Sequence, residues 1–307
     1  MKKVLVVHYS QTGQLTDIVD SILGPLAEVP KLEITRLALK PQPAYPFPWT
    51  AQHFCDVFPE SVAGVPCTLA PLELDPEARF DLIVLAYTVW YLSPSLPVQA
   101  FLRSPEAARL FPGTPVVTVI GCRNMWLLAQ EQVKQRLQEL DARLVGNIVL
   151  GDRAGNLTGV ATIAYWMLTG RKERLLGILP KPGVDAEDIR QASRFGTILR
   201  KALQEGITTL DQDVLNAVGA VPVEPAYIVF EHRIRRVFRI WARFIRKKGG
   251  PGAPARQRRV LAFFFYLLAA IVVLAPLATL AAKVTLWLRK ASIEKAVAYY
   301  RSNRYES

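Results

Sequence analysis

The sequence predicts a doubly wound α/β fold, a five-stranded parallel sheet of order 2-1-3-4-5 covered by helices on both faces, with a basic, apolar C-terminal appendage. Three observations predict it. Short β-branched runs alternate with helix-period stretches over residues 1–205. A Ser/Thr/Gly turn lies directly between the first strand and the first helix, where an open α/β sheet carries its ligand site. Positive charge is confined to one end of the chain.

The elements follow in order. Lys3 to His8 is a β-branched run of the kind buried on both faces of a sheet. Its apolar stretch is too short for the core of a signal peptide. Leu15, Ile18, Val19, Ile22, Leu23 and Leu26 recur at i, i+3, i+4, i+7, i+8 and i+11, which is one face of a helix ended by Gly24-Pro25 and Pro30. Leu32 to Leu39 alternates and reads as a second strand. Residues 40–79, rich in Pro and aromatics, show no clean period and read as an insertion. Asp81 to Tyr87 is the third strand, Pro97 to Leu110 a helix, Pro115 to Gly121 the fourth strand, Met125 to Leu140 a helix and Leu144 to Leu150 the fifth strand. Residues 151–183 form a second insertion with an apolar centre at Val160 to Leu168. Asp185 to Leu203 is a helix with Asp185 as N-cap. The domain ends near residue 205. Residues 206–227 read as a connector.

The net charge of the 307 residues is +12. Residues 1–227 hold twenty-one Lys/Arg against twenty-three Asp/Glu. Ile228 to Arg259 hold eleven against one, and the chain from Val260 onward six against two. A near-neutral body with a basic end implies an anionic surface met by that end alone, which argues against a nucleic-acid groove in the domain. Three cysteines and three histidines show no metal-ligand spacing, so no metal site is expected.

Ser10-Gln11-Thr12-Gly13-Gln14-Leu15 is the sharpest local signal. A helix start leaves amides unpaired and carries partial positive charge. Ser10 and Thr12 add hydroxyls, and Gly13 lets the backbone approach an oxygen closely, so the turn suits a phosphate monoester without a Lys or Arg. The alternative is an ordinary strand-to-helix turn capped by Thr12. The third strand ends in Thr88-Val89-Trp90-Tyr91. Trp90 and Tyr91 stand where a planar heterocycle would stack, or else form a hydrophobic lid over the strand ends. The fourth strand ends in Gly121-Cys122-Arg123-Asn124-Met125. Arg123 and Asn124 could serve a ring's polar edge or a substrate carbonyl. Cys122 reads better as a small buried residue, and Arg123 reads equally as a solvated or salt-bridged one.

The run Lys3-Val4-Leu5-Val6-Val7-His8-Tyr9-Ser10-Gln11-Thr12-Gly13 resembles the opening of the flavodoxin and NAD(P)H:quinone-reductase superfamily, and the resemblance covers roughly residues 1–205. It implies a flavodoxin-like domain with FMN, its phosphate on Ser10 to Leu15 and its ring between the Thr88–Tyr91 and Gly121–Met125 loops. Pro46-Phe47-Pro48-Trp49, Phe58-Pro59-Glu60-Ser61, Trp90 to Ser95 and Gly121 to Trp126 resemble more closely the bacterial flavodoxin-like proteins known as dialkylresorcinol condensing enzymes. That resemblance implies a ketosynthase-like partner and aromatisation of a cyclohexanedione. Arg123, Tyr91 and Asn124 are then the candidates to polarise or deprotonate a lipid-like cyclic ketone. A quinone reductase using NAD(P)H, an electron carrier and a flavin-free scaffold stay open as alternatives, as does a homo-oligomer. The near-neutral domain and its two insertions favour an enzyme over a carrier.

The tail reads in two parts. Residues 228–259 form a basic segment: Ile228 to Lys248 mixes apolar residues with arginines at helical spacing, the pattern of a helix lying on an anionic membrane surface, or of one binding nucleic acid or a protein, and Gly249 to Pro254 is a flexible break. Val260 to Ala282 carries no charge over 23 residues, long enough to cross a bilayer. Residues 260–288 are therefore expected to be a membrane anchor, either a single span or a re-entrant hairpin kinked at Pro276, with a short tail at 289–307. A buried helix is the alternative. The flavin domain is expected on the cytoplasmic side.

Overall fold

Five strands in the computed structural model form one parallel sheet: β1 (Lys2–His8), β2 (Leu32–Ala38), β3 (Leu82–Trp90), β4 (Pro115–Cys122) and β5 (Arg143–Gly151). Their order is β2-β1-β3-β4-β5, as the sequence predicts. The structure describes residues 1–305, with the backbone alone for residues 156–157, 274–280 and 283. The register runs from Val4↔Leu82 to His8↔Ala86 across β1 and β3, and from Ile83↔Val116 to Thr88↔Gly121 across β3 and β4. His8, Thr88 and Gly121 therefore end at one edge. The strand centres Val4–Val7 and Leu82–Tyr87 are almost wholly excluded from water, which is why they carry β-branched and apolar residues without alternation.

Helix α1 (Gln14–Leu23) buries Leu15, Ile18, Val19 and Ile22 on the sheet. Gly121 lets it sit close, because a Cβ there would lie 3.2 Å from Leu15 Cδ1 and 3.4 Å from Ile18 Cδ1. Helix α2 (Leu127–Glu139) follows β4. The helix expected over 97–110 is instead two, Leu96–Phe101 and Pro105–Leu110. Ser104 starts the second, its hydroxyl accepting from Ala107 N–H, and Pro105 fits the first turn. The helix expected over 185–203 is likewise split into Ala186–Gln191 and α4 (Ser193–Glu205), with Asp185 capping the first of them as expected.

The two insertions meet each other. The first holds the short helices Ala51–Asp56 and Phe58–Ala63, and the second holds α3 (Asn156–Thr169). Trp49 N–H donates to Met167 O at 2.7 Å, and Phe47 packs edge-on against Trp166.

Residues 206–227 do not hang free. Leu215, Ala220 and Val221 are buried against β5, and Val149 N–H donates to Ala220 O. Helix α5 (Pro225–Arg246) then crosses the carboxyl edge of the sheet. After a turn come α6 (Gln257–Ala269), a π turn (Ala270–Leu274), α7 (Ala275–Leu288) and α8 (Lys290–Ser302). Among the described residues no helix is long and apolar enough to cross a membrane. The expected anchor at 260–288 is therefore not supported over its described residues, and packing accounts for part of it; the side chains of 274–280 and 283 lie outside the described residues. Val260 and Phe263 of the uncharged run are buried against α5 and the Phe58–Ala63 helix, with the Phe263 and Phe58 rings stacked at 3.8 Å. Both ends of the run are also fixed to the same domain. At one end Arg256 is fully buried, donating to Asp56 Oδ1 at 2.7 Å and Glu60 Oε1 at 2.9 Å. At the other, Tyr300 joins the main core and Gln130 donates to Asn303 Oδ1 at 3.0 Å. The side chain of Pro276, where a kink was expected, and residues 306–307 of the C-terminal tail lie outside the described residues.

Candidate functional site

The turn after β1 leaves the start of α1 without a side-chain cap. Gly13 stands at the start of α1 with φ +84°, the left-handed region that favours glycine, and a Cβ there would meet nothing within 4 Å. No side chain caps α1 at Gly13, which leaves the amides of Gln14 and Leu15 without a capping side chain. Ser10 Oγ accepts weakly from Thr16 N–H at 3.4 Å, leaving its own proton to donate, and Thr12 is half-buried beside it. Gln11 donates to Pro46 O at 2.9 Å, while its Oε1 is buried with no hydrogen-bond partner among the described residues.

Two residues of the expected phosphate set serve the fold instead. The Gln14 amide exchanges two hydrogen bonds with Val184, each 3.0 Å, and ties α1 to the end of the second insertion. The Leu15 side chain is in the core. Only their backbone N–H groups remain for a ligand.

Thr88 lies opposite Gly121 on the next strand, and its Oγ1 is buried with no hydrogen-bond partner among the described residues. Trp90 leaves the strand toward the phosphate turn. Its ring meets Tyr9 at 6.0 Å, Tyr45 at 5.2 Å and Trp49 at 5.7 Å, all edge-on. Trp49 Nε1 is a third buried polar atom with no hydrogen-bond partner among the described residues. The aromatic shelf is therefore Tyr9, Tyr45, Trp49 and Trp90. Sequence reading found one of the four. Tyr45 and Trp49 come from the first insertion, and their only local signal is the density of aromatics between prolines. Val89 pairs with Pro94 in a short hairpin, so its role is in the backbone of the loop.

Tyr91 is not on this shelf. With φ +51° it turns away from Trp90 and packs against Phe54, Phe58 and Phe238, and its hydroxyl donates to Phe54 O at 2.5 Å. Burial drives its phenol well above the ordinary range, so it holds its proton. This corrects its placement among the stacking and catalytic candidates.

The β4 loop faces the second insertion and the start of α5. Asn124 donates to Tyr227 Oη at 2.9 Å. Arg123 is half-buried near Asp152 and Tyr227, and desolvation lowers its pKa against the attraction of both. The Cys122 thiol is pushed up by burial and then by the nearby Glu231 carboxyl, so it stays a neutral thiol. Met125 is half-buried ahead of α2. Arg123 and Asn124 are thus brought together with Tyr227, and Tyr91 is excluded from the group.

One residue here has no sequence signal. Glu231 of α5 is fully buried, and its two oxygens accept from Leu127 N–H at 3.1 Å and Leu128 N–H at 2.7 Å. A carboxylate on a helix start is favourable, but burial opposes its charge and raises its pKa to about 7. It sits four residues past Tyr227, at the foot of the β4 loop.

Fold and site together define a class: a doubly wound α/β protein with an uncapped strand-to-helix turn and an aromatic shelf at the carboxyl edge of its sheet. No family model matches the chain, and no curated protein matches it. Solved structures similar to it include a flavodoxin from the domain Archaea, 11% identical, covering 66% of this chain and 99% of that one at a TM-score of 0.36. A flavoprotein in complex with FMN from Lactobacillus acidophilus is 14% identical, over 48% and 93%, at 0.37. FerB, an NAD(P)H:(acceptor) oxidoreductase from Paracoccus denitrificans, is 14% identical, over 67% and 98%, at 0.31.

Proposed function

We propose that this chain is an FMN-dependent oxidoreductase that acts on an apolar substrate. One observation carries the reading. Three buried polar atoms with no hydrogen-bond partner among the described residues, Gln11 Oε1, Thr88 Oγ1 and Trp49 Nε1, belong to the uncapped helix start, the facing strand end and the aromatic shelf at one sheet edge. Buried groups of this kind cost about 1–3 kcal/mol each unless a ligand satisfies them. Their chemistry fits a phosphorylated, polyhydroxylated chain ending in a planar heterocycle. The amides of residues 12–15 with the Ser10 and Thr12 hydroxyls would hold the phosphate, Gln11 and Thr88 the polar chain, and Trp90 with Tyr45 the ring.

Bound FMN would supply hydride transfer. The chain's own residues do the rest. The insertions, joined through Trp49 and Met167, wall the site and exclude water. Asn124, oriented by Tyr227, and the partly desolvated Arg123 offer donors to a carbonyl. The finer assignment, aromatisation of a dialkyl cyclohexanedione delivered by a ketosynthase-like partner, rests on the sequence resemblance alone.

Titration of the purified chain with FMN tests the proposal. Quenching of flavin fluorescence at one equivalent is expected, with at least tenfold weaker binding for Thr88→Val. Absence of binding by the native chain would overturn it. With FMN bound, anaerobic bleaching by a dialkyl cyclohexanedione supports the finer assignment, and bleaching by NAD(P)H alone refutes it in favour of a reductase.

A further inference from the structure

The α6–α7 run carries an apolar face that nothing among the described residues covers. Leu261, Phe265, Leu268 and Val272 recur at i, i+4, i+7 and i+11, one side of a helix, and each is exposed. The π turn at Ala270–Leu274 acts as a one-residue insertion, which rotates the following helix by about 100° relative to a regular one. That shift returns Val284 and Trp287, which are 51% and 80% exposed, to the same side. Without it the two halves of the run would face different ways.

Cations lie on the neighbouring helix and at both ends of the run. On α5, exposed Ile240 and Phe244 alternate with exposed Arg239 and Arg243. Arg258 precedes the run and Lys290 follows it. The basic charge of the whole chain is concentrated here, while residues 1–227 are near neutral. A second copy on this face would bring these arginines against one another, a like-charge contact that disfavours a dimer. A surface that is apolar at its centre and anionic at its margin satisfies both features at once.

We infer that the α5–α7 hairpin lies flat in the interface of an anionic lipid bilayer, with Phe265 and Trp287 below the headgroups and the arginines among them. The geometry excludes a crossing. Arg256, just before the run, is locked to Asp56 and Glu60, and Tyr300, beyond it, is locked into the sheet domain, so both ends stay on one side. The inference does not depend on flavin binding.

Flotation of the full chain with sealed vesicles is the test. Binding is expected to vesicles of phosphatidylcholine with phosphatidylglycerol, at least tenfold weaker to phosphatidylcholine alone, and weakened by salt. Phe265→Gln/Trp287→Gln should lose binding with its circular dichroism and melting unchanged, since both side chains are exposed. If that variant unfolds, the lipid and salt dependence of the native chain decides. Single cysteines at Gly250→Cys and Arg304→Cys should both react with an impermeant maleimide from outside. Protection of one of the two shows a span and overturns the inference. So does equal binding to both vesicle types, binding to neither, or a dimer that buries Trp287 without lipid.

Discussion

Two aromatic clusters stand side by side in this protein, touching through Trp49 and Phe54 at 6.2 Å. The first, at the sheet edge, joins Tyr9, Tyr45, Trp49 and Trp90. The second, under the tail, joins Phe54, Phe58, Tyr91, Phe238 and Phe263. They differ in how their polar atoms fare. In the second the Tyr91 hydroxyl has Phe54 O, and the nearby Arg256 has Asp56 and Glu60. Around the first, Gln11, Thr88 and Trp49 each keep a buried polar atom with no partner among the described residues. Similar rings thus fare differently: the second cluster is satisfied within the chain, and the first leaves polar atoms that a ligand would satisfy. Adjacent residues, Trp90 and Tyr91, are divided between them.

The largest expected effect falls on the satisfied side. Arg256→Ala leaves two acidic side chains buried without their cation, and should cost about 3–5 kcal/mol in urea denaturation. A loss under about 1 kcal/mol would show that the tail is not fastened there.

The next effect is one of pH. Glu231 titrates at about 7 in the folded chain against 4.5 as its ordinary value, so the folded state holds the extra proton between them. Its stabilising contribution is whole below pH 4.5 and is lost as pH rises through 7, about 3 kcal/mol in all at 1.4 kcal/mol per unit. Glu231→Gln should remove that slope from stability measured between pH 5 and 8. An unchanged slope would place the titration elsewhere.

Two smaller effects separate the clusters directly. Trp90→Ala should weaken FMN binding about tenfold, equivalent to about 1.4 kcal/mol, by removing one wall of the shelf. Tyr91→Phe should cost about 1 kcal/mol of stability through the lost bond to Phe54 O and leave FMN affinity unchanged. If both variants bind FMN equally poorly in fluorescence titration, the proposed division between the two clusters is wrong.

What the sequence could show follows from distance. Val4–Val7 and Leu82–Tyr87 are legible as strands because burial on both faces demands continuous apolar runs, and the spacing of α1 is local in the same way. The turn at Ser10–Gly13 is legible because its chemistry lies within six residues. Gln14 looked like part of that turn, yet its amide serves Val184, 170 residues away. Tyr91 looked like a neighbour of Trp90, but the left-handed backbone at Tyr91 and Leu92 breaks the strand's alternation. Tyr45 and Trp49 were hidden in an insertion without period. The run 260–282 looked like a span because hydropathy records which residues are apolar and not what covers them. Among its described residues, Val260 and Phe263 are buried against the chain's own helices.

The docking of residues 299–305 bears on how the protein is made. Tyr300 completes the core, Asn303 meets Gln130, and the Tyr305 hydroxyl donates to Ala142 O. While these residues are still inside the ribosome, the nascent domain has its strands but lacks the helix that seals them. The sheet therefore stays partly uncovered until residues 299–305 have emerged and docked.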